Sequence, residues 1–369
     1  VNLGFFKSVA KIIAFPKRKN IFAKNFPMTA IPTNAGRPKS ILGIGNALID
    51  VLIFITDDSV LQKFGFPKGS MTLVDSALSG EIKKETKAYR RIVQTGGSAA
   101  NTVHGIAKLG GRCGYIGKIS DDEFGHFYLD DFRRNGIETH FFFSETGTGH
   151  ATGLVSPDSE RTFGTYLGAA MELTAEEMSA EIFRNYDIVH IEGYLVQNHS
   201  LIESAMKMAK ANGLLVSLDL ASFNIVGENL GFLHRIVSQY VDIVFANEEE
   251  AFAFTGKKPV QALDEISEMC SLAIVKQGAK GSLIKQGGRV VRISAIPAQS
   301  VDTTGAGDIY ASGVLYALAD GYDLEVGGKI GSLLAGHVVE VMGAKIPDET
   351  WEKLYPEIES IKANRGFGQ

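Results

Sequence analysis

HSLIESAMKMAKANGLLVSLD (residues 199–219) sets a helix before a strand with a glycine at the junction. Residues 199–212 read as the helix, and Gly213 closes it at the position that favours a left-handed backbone. Residues 214–219 follow at once as a short buried strand. Segments of the same kind recur at 113–117 (CGYIG), 187–191 (DIVHI), 241–245 (VDIVF) and 272–276 (LAIVK), and another helix spans 98–109. Most of these strands come after a helical stretch. That alternation predicts an α/β fold of three layers, a mostly parallel central sheet with helices on both faces. ILGIGNALIDVLIFI (41–55) is apolar and β-rich with an early glycine pair. Residues 52–75 and 137–168 break the rhythm, because apolar and polar residues alternate there around Gly, Ser and Asp turns. They predict antiparallel hairpins that make a small β lid. No internal repeat or low-complexity linker interrupts the chain, so 41–369 reads as one domain carrying that lid.

Charge separates a leader from this body. The 369 residues carry a net charge of -5, yet residues 1–40 hold eight basic side chains and no acid. Residues 41–369 hold the other 29 basic and all 42 acidic side chains, a net -13. An acidic body excludes non-specific nucleic-acid binding, which needs cations along the phosphate track. Residues 1–40 read as lying outside the fold, either a targeting peptide or an upstream extension with Met28 as a start. Two isolated cysteines, Cys113 and Cys270, support neither a disulfide framework nor a zinc site. The expectation is a reducing compartment, the cytoplasm, or an organelle if the leader is a targeting signal. No run reaches the roughly 18–20 apolar residues of a membrane span.

Chemistry concentrates in three short motifs. Gly43-Ile44-Gly45 is not a dinucleotide fingerprint, since Leu48 stands where the third glycine belongs, and no G-x-x-x-x-G-K-[ST] occurs. In Val301-Asp302-Thr303-Thr304-Gly305-Ala306-Gly307-Asp308, small residues lead into a helical run. Successive backbone N–H groups at a helix start form an anion site. The competing reading is a glycine turn with a helix-stabilising Asp308, but Asp302, Thr303, Thr304 and the small face of Ala311, Ser312 and Gly313 favour bound phosphate. In Thr95-Gly96-Gly97-Ser98-Ala99-Ala100-Asn101, the glycine pair permits close backbone approach and Asn101 offers a donor and an acceptor to hydroxyls, although the motif alone reads more simply as a tight strand-to-helix turn. Asn247-Glu248-Glu249-Glu250 opens a helix, with Asn247 and Glu250 on one face. They suit either simple dipole compensation or the water shell of Mg²⁺ beside a phosphate.

Together, in this order and spacing, these motifs resemble the ribokinase-like (PfkB) sugar and nucleoside kinases from about residue 41 to 350. The resemblance implies ATP and Mg²⁺ as cofactors, and it assigns roles. Asp308 matches the base that takes the proton of the substrate hydroxyl. Gly305, Ala306 and Gly307 match the anion hole for the transferring phosphoryl group. Asp50, Gly96, Gly97 and Asn101 match sugar contacts. Asn247 and Glu250 match the Mg²⁺ and phosphate organisers. Lys276, Gly278 and Gly281 resemble the nucleotide-side strand and turn. Asp302, Thr304 and the turn at Gly343 resemble the backbone ligands of a monovalent cation, often K⁺. An ordinary Asp308 is already ionised at neutral pH, as a base must be.

Finer details lean towards the adenosine kinase branch, and so towards purine salvage. Ser98 stands where ribokinases usually carry Lys. Glu160-Arg161-Thr162-Phe163 looks like that branch's lid segment, with Arg161 either set to contact phosphate or the closed lid or simply a solvated arginine at a hairpin tip. Ala335-Gly336-His337 resembles a nucleotide-side segment, although His337 also suits simple helix packing. Phe66, Phe141, Phe143, Phe163 and Tyr166 suit either purine stacking or the core. The other readings are a ribokinase or fructokinase, an inosine/guanosine kinase, or a catalytically silent module that binds a sugar or nucleoside. A small-molecule substrate is expected, with no nucleic acid or membrane partner, and either a monomer or a homodimer.

Overall fold

Strands buried on both faces need apolar residues at nearly every position, and the predicted runs at 113–117, 187–191 and 272–276 supply them. The computed structural model describes residues 39–364. Most of the basic leader lies outside the described residues. Lys39 and Ser40, read as part of it, belong to the fold: Lys39 N donates to Ala319 O at 3.0 Å and Ser40 N to Asp187 Oδ2 at 2.8 Å.

The strands are β1 (Ile41–Ile44), β2 (Leu48–Phe54), β3 (Met71–Leu73), β4 (Arg91–Gly96), β5 (Cys113–Ser120), β6 (Glu138–Ser144) and β7 (Gly149–Val155). Then come β8 (Arg161–Tyr166), β9 (Ile188–Glu192), β10 (Leu215–Asp219), β11 (Ile243–Asn247), β12 (Leu272–Lys276), β13 (Ser282–Gln286) and β14 (Arg289–Ile293). A nine-stranded sheet runs β14-β13-β12-β11-β10-β9-β1-β5-β6. Its pairs are parallel from β12 to β6, and β13 and β14 add an antiparallel edge. On one face Leu42, Val189, Val216, Val244 and Ala273 meet helices that include His199–Ala211 and Leu230–Tyr240. On the other, Gly43 lies so close to the helix Ser98–Lys108 that a Cβ would stand 2.4 Å from Val103 Cγ2. The chain is therefore the expected α/β fold with helices on both faces.

The smaller sheet runs β3-β8-β7-β2-β4. Its composition corrects the predicted lid boundaries. Residues 138–144 pair with β5 at the edge of the large sheet, Gly114 opposite Glu138 through Ser120 opposite Ser144. Residues 91–96 take a place in the smaller sheet, antiparallel to β2. Alternation identifies a strand without naming its partner, so it could not make this assignment. Run 41–55 likewise splits into β1 and β2, one in each sheet, at Gly45-Asn46-Ala47.

Candidate active site

Parallel α/β sheets place ligands beyond the carboxyl ends of their strands, and the polar residues converge there. β9 ends on Glu192, β10 on Asp219, β11 on Asn247 and β12 on Lys276. The helix Ala306–Ala319 begins after Gly305, whose φ of 74° puts it in the left-handed region. A Cβ on Gly305 would stand 2.4 Å from Ala344 Cβ, so the turn requires glycine twice over. This helix packs on Ser98–Lys108 through Gly105, where a Cβ would stand 2.4 Å from Ser312 Oγ. That close approach brings two distant motifs together. Ser98 Oγ donates to Asp308 Oδ1 at 2.7 Å, and Asn101 Nδ2 donates to Asp308 Oδ2 at 3.0 Å.

Burial raises the Asp308 pKa to about 7, with the Asn101 and Ser98 hydrogen bonds pulling against it. Asp308 is thus not the ordinary carboxylate of the sequence reading. It is a stronger base that is still largely ionised at slightly alkaline pH. Glu250 is also raised to about 7, by burial and by the charge of Asp219. Lys276 Nζ donates to Asp219 Oδ2 at 2.8 Å. Burial opposes the Lys276 charge, but Asp219 and Glu250 outweigh it and hold its pKa above the usual lysine value. Asp219 is held below the usual range because Lys276 overcomes its burial. Several shifted carboxyls at one sheet end mark a functional site.

Asp50 lies on β2, and a Cβ on Gly96 would stand 2.4 Å from its Oδ2. Burial lifts it to about 7, with the Lys345 ammonium opposing. Gly97 has a φ of 100°, and a Cβ there would stand 2.2 Å from Asn46 O. Glu192 was not recognised in the sequence. It accepts from Asn46 N at 2.9 Å, Asn46 Nδ2 at 2.6 Å and Ala99 N at 3.1 Å, and so ties the Asp50 strand to the Asn101 helix. An acid at the end of an apolar strand run is the signal that could have found it.

Several predicted residues meet other partners. Asn247 and Glu250 bond to each other: Asn247 Nδ2 donates to Glu250 Oε1 at 2.6 Å and Asn247 N donates to Oε2 at 2.7 Å. Ala306 N makes a long 3.3 Å bond to Thr303 O. Gly278 and Gly281, with φ of 53° and 89°, form the turn between β12 and β13. His337 faces Glu340 at 3.5 Å near the end of its helix, and no described bond joins it to the Asp308 cluster. Phe141 is half-buried and packs edge-on to Tyr128 at 5.5 Å, with Tyr115 and Phe132 beside it.

Arg161 reaches from β8 to the other motif. Its Nη1 pairs with Asp302 Oδ1 and donates to Thr304 Oγ1 at 2.5 Å. Asp302 also accepts from Thr304 N at 2.7 Å and Gly343 N at 2.8 Å. A cavity of about 370 Å³ opens beside this contact, between Gly69–Met71, Ser159–Phe163 and the loop Ser300–Thr303.

Residues 73–351 match the pfkB family carbohydrate kinase domain. The chain belongs to the pfkB family of carbohydrate kinases. A probable sugar kinase from Rhizobium etli CFN 42 superposes on this kinase with a TM-score of 0.78 at 30% identity, covering 87% of this chain and 98% of that one. The adenosine kinase from Sinorhizobium meliloti gives 0.77 at 32% identity, over 87% and 99%. The 5-dehydro-2-deoxygluconokinase of Bacillus subtilis (strain 168) is 29% identical over 295 residues, 75% of this chain and 90% of that protein. Membership implies ATP with Mg²⁺ and a small sugar or nucleoside acceptor. Among the described residues no helix is long and apolar enough to cross a membrane.

Among the described residues no group of three or more His, Cys, Asp or Glu could hold a metal ion directly. The bonded pair Asn247 and Glu250 can still accept water from an ion that the phosphates carry. The segments named for a monovalent cation are joined through the Asp302 side chain, whose carboxylate pairs with Arg161 and accepts from the N–H groups of Thr304 and Gly343.

Proposed function

We propose that this kinase transfers the γ-phosphoryl group of ATP to a primary hydroxyl of a nucleoside or sugar, with adenosine the first acceptor to test. The observation that carries the reading is the Asp308 carboxyl, half-buried at the start of the Ala306–Ala319 helix and oriented by Ser98 and Asn101. A base in that place faces two sides. The helix start presents N–H groups to a phosphoryl group, and Asp50, Gly96 and Asn101 flank the position of an acceptor.

Each residue then has a task. Asp50 accepts hydrogen bonds from acceptor hydroxyls and fixes the ring. Asp308 takes the proton of the attacking hydroxyl, which its raised pKa favours. The N–H groups at Gly305–Gly307 receive charge developing on the phosphoryl oxygens, with no reorganisation needed at that moment. Mg²⁺ neutralises phosphate charge when bound with ATP, and Asn247 and Glu250 would face its water shell. The smaller sheet, tied down through Arg161, keeps water from the phosphoryl group. Lys276, Gly278 and Gly281 border the nucleotide side.

A sugar acceptor is the second reading, favoured because the half-buried Phe141 ring is engaged by Tyr115, Tyr128 and Phe132 and so offers little face to a purine. Coupled ADP release with adenosine, inosine, guanosine, ribose, fructose and 5-dehydro-2-deoxygluconate separates the two. Adenosine is expected to give the highest kcat/KM, and Asp308→Asn should lower turnover by about 10³-fold or more with acceptor binding retained. Full activity in that variant would remove Asp308 from the mechanism.

A further inference from the structure

The sequence holds no Walker-type lysine, yet the folded site contains an ammonium at the anion nest. Lys276 ends β12, and its side chain is 14% exposed. On one side it donates to Asp219 Oδ2 at 2.8 Å. On the other it packs on the first turn of the Ala306–Ala319 helix, where a Cβ built on Gly307 would stand 2.8 Å from Nζ. Gly307 does not have the left-handed backbone that Gly305 has. The ammonium therefore lies directly against the backbone of that first turn.

We propose that Lys276 is a further catalytic residue, whose ammonium moves from Asp219 to an oxygen of the phosphoryl group in flight. The proposal rests on the kinase reading above. As a structural device alone the pair has little to recommend it, because a buried ion pair seldom stabilises more than apolar packing would. Its position suits chemistry better. Asp219, Glu250 and Asp308 all face Lys276, and without it they would repel a nucleotide phosphate. Lysine is a compact point charge on a flexible stem with three donors, and one of these is engaged, on Asp219.

The step balances without a proton from Lys276. The acceptor oxygen forms a bond to the γ-phosphorus, and the bond from that phosphorus to the β–γ bridging oxygen breaks. Its electron pair stays on the departing ADP. The hydroxyl proton passes to Asp308. Lys276 keeps its protons and exchanges a hydrogen bond to Asp219 for one to a γ-phosphoryl oxygen.

The test is the double variant Lys276→Met/Asp219→Asn, which removes the charge and its buried partner together. The expected result is a kcat lower by about 10²- to 10³-fold, as for loss of one donor to a developing oxyanion. Acceptor Kd should stay within about threefold, since the ground-state acceptor contacts are untouched. The thermal shift produced in the wild type by ADP, aluminium fluoride and acceptor should disappear, while the shift with a non-hydrolysable ATP analogue remains. Lys276→Gln, which keeps a donor for Asp219, should lose kcat similarly and serves if the double variant does not fold. A fall smaller than about tenfold in the folded variants overturns the role of Lys276. A wild type that phosphorylates none of the six acceptors overturns the kinase reading instead.

Discussion

Replacing Asp308 by Asn is expected to strengthen the fold while it stops the chemistry, and the gain should grow with pH. The Asp308 pKa rises from 3.8 to about 7 on folding. Below pH 4 the carboxyl is protonated in both states and contributes nothing. Between 4 and 7 the folded protein holds a proton that the unfolded chain has lost, so stability falls as pH rises. Above 7 both are ionised and the cost is constant. About three pKa units at 1.36 kcal/mol each make it on the order of 4 kcal/mol. At pH 5 only about one unit is in play, near 1–2 kcal/mol. The Asp308→Asn change removes the charge and keeps the contacts: the new carbonyl can accept from Asn101 Nδ2 and the new amide can donate to Ser98 Oγ. The stability advantage of the Asp308→Asn variant over the wild type should therefore rise by about 2–3 kcal/mol between pH 5 and pH 8. Asp50, Glu192 and Glu250 titrate in both proteins and cancel in the difference. For a chain of this size that is about 3–5 °C in Tm, read by differential scanning calorimetry at the two pH values. A difference in Tm between variant and wild type that is the same at both values, or shrinks with pH, would refute the buried, proton-holding Asp308.

Three further outcomes can be measured. Asp50→Asn should raise the acceptor KM by about 10- to 100-fold, the worth of a charged hydrogen bond, with a smaller change in kcat and a Tm no lower than wild type. Gly343→Ala places a Cβ 2.0 Å from Gln94 Nε2 at a φ of 89° and disturbs the N–H that holds Asp302. It should cost roughly 2–3 kcal/mol in urea unfolding, and an unchanged midpoint would contradict that packing. Arg161→Gln unfastens the smaller sheet from Asp302 and Thr304, so acceptor-independent ATP hydrolysis should rise several-fold in a phosphate-release assay.

Much of this was legible before folding was considered. The apolar runs at 187–191, 214–219, 241–245 and 272–276 each lie within one residue or two of a strand, because a strand buried on both faces has no polar positions to disguise it. Gly213 does take a left-handed φ, 77°, after the His199–Ala211 helix. Asp308 and the glycines before it stand out in the sequence because a glycine turn into a helix is a local object, built from consecutive residues. Partnerships across the chain were not identifiable. Residues 138–144 read equally well as a lid strand until β5 claimed them. The Asp308 pKa was invisible too, since it depends on helices packing over it and not on its neighbours in sequence.

The sequence by itself determined the layers, the order of strands and helices, and the local motifs, since period and glycine placement act over a few residues. Only the tertiary structure decided what those motifs touch. Glu192 holds Asn46 and Ala99 from 146 and 93 positions away, and Arg161 meets Thr304 across 143. Lys276 sits on Gly307 because β12 and the Ala306–Ala319 helix converge at one end of the sheet. Charges acquire their strength from burial and from one another, and both are properties of the packed molecule.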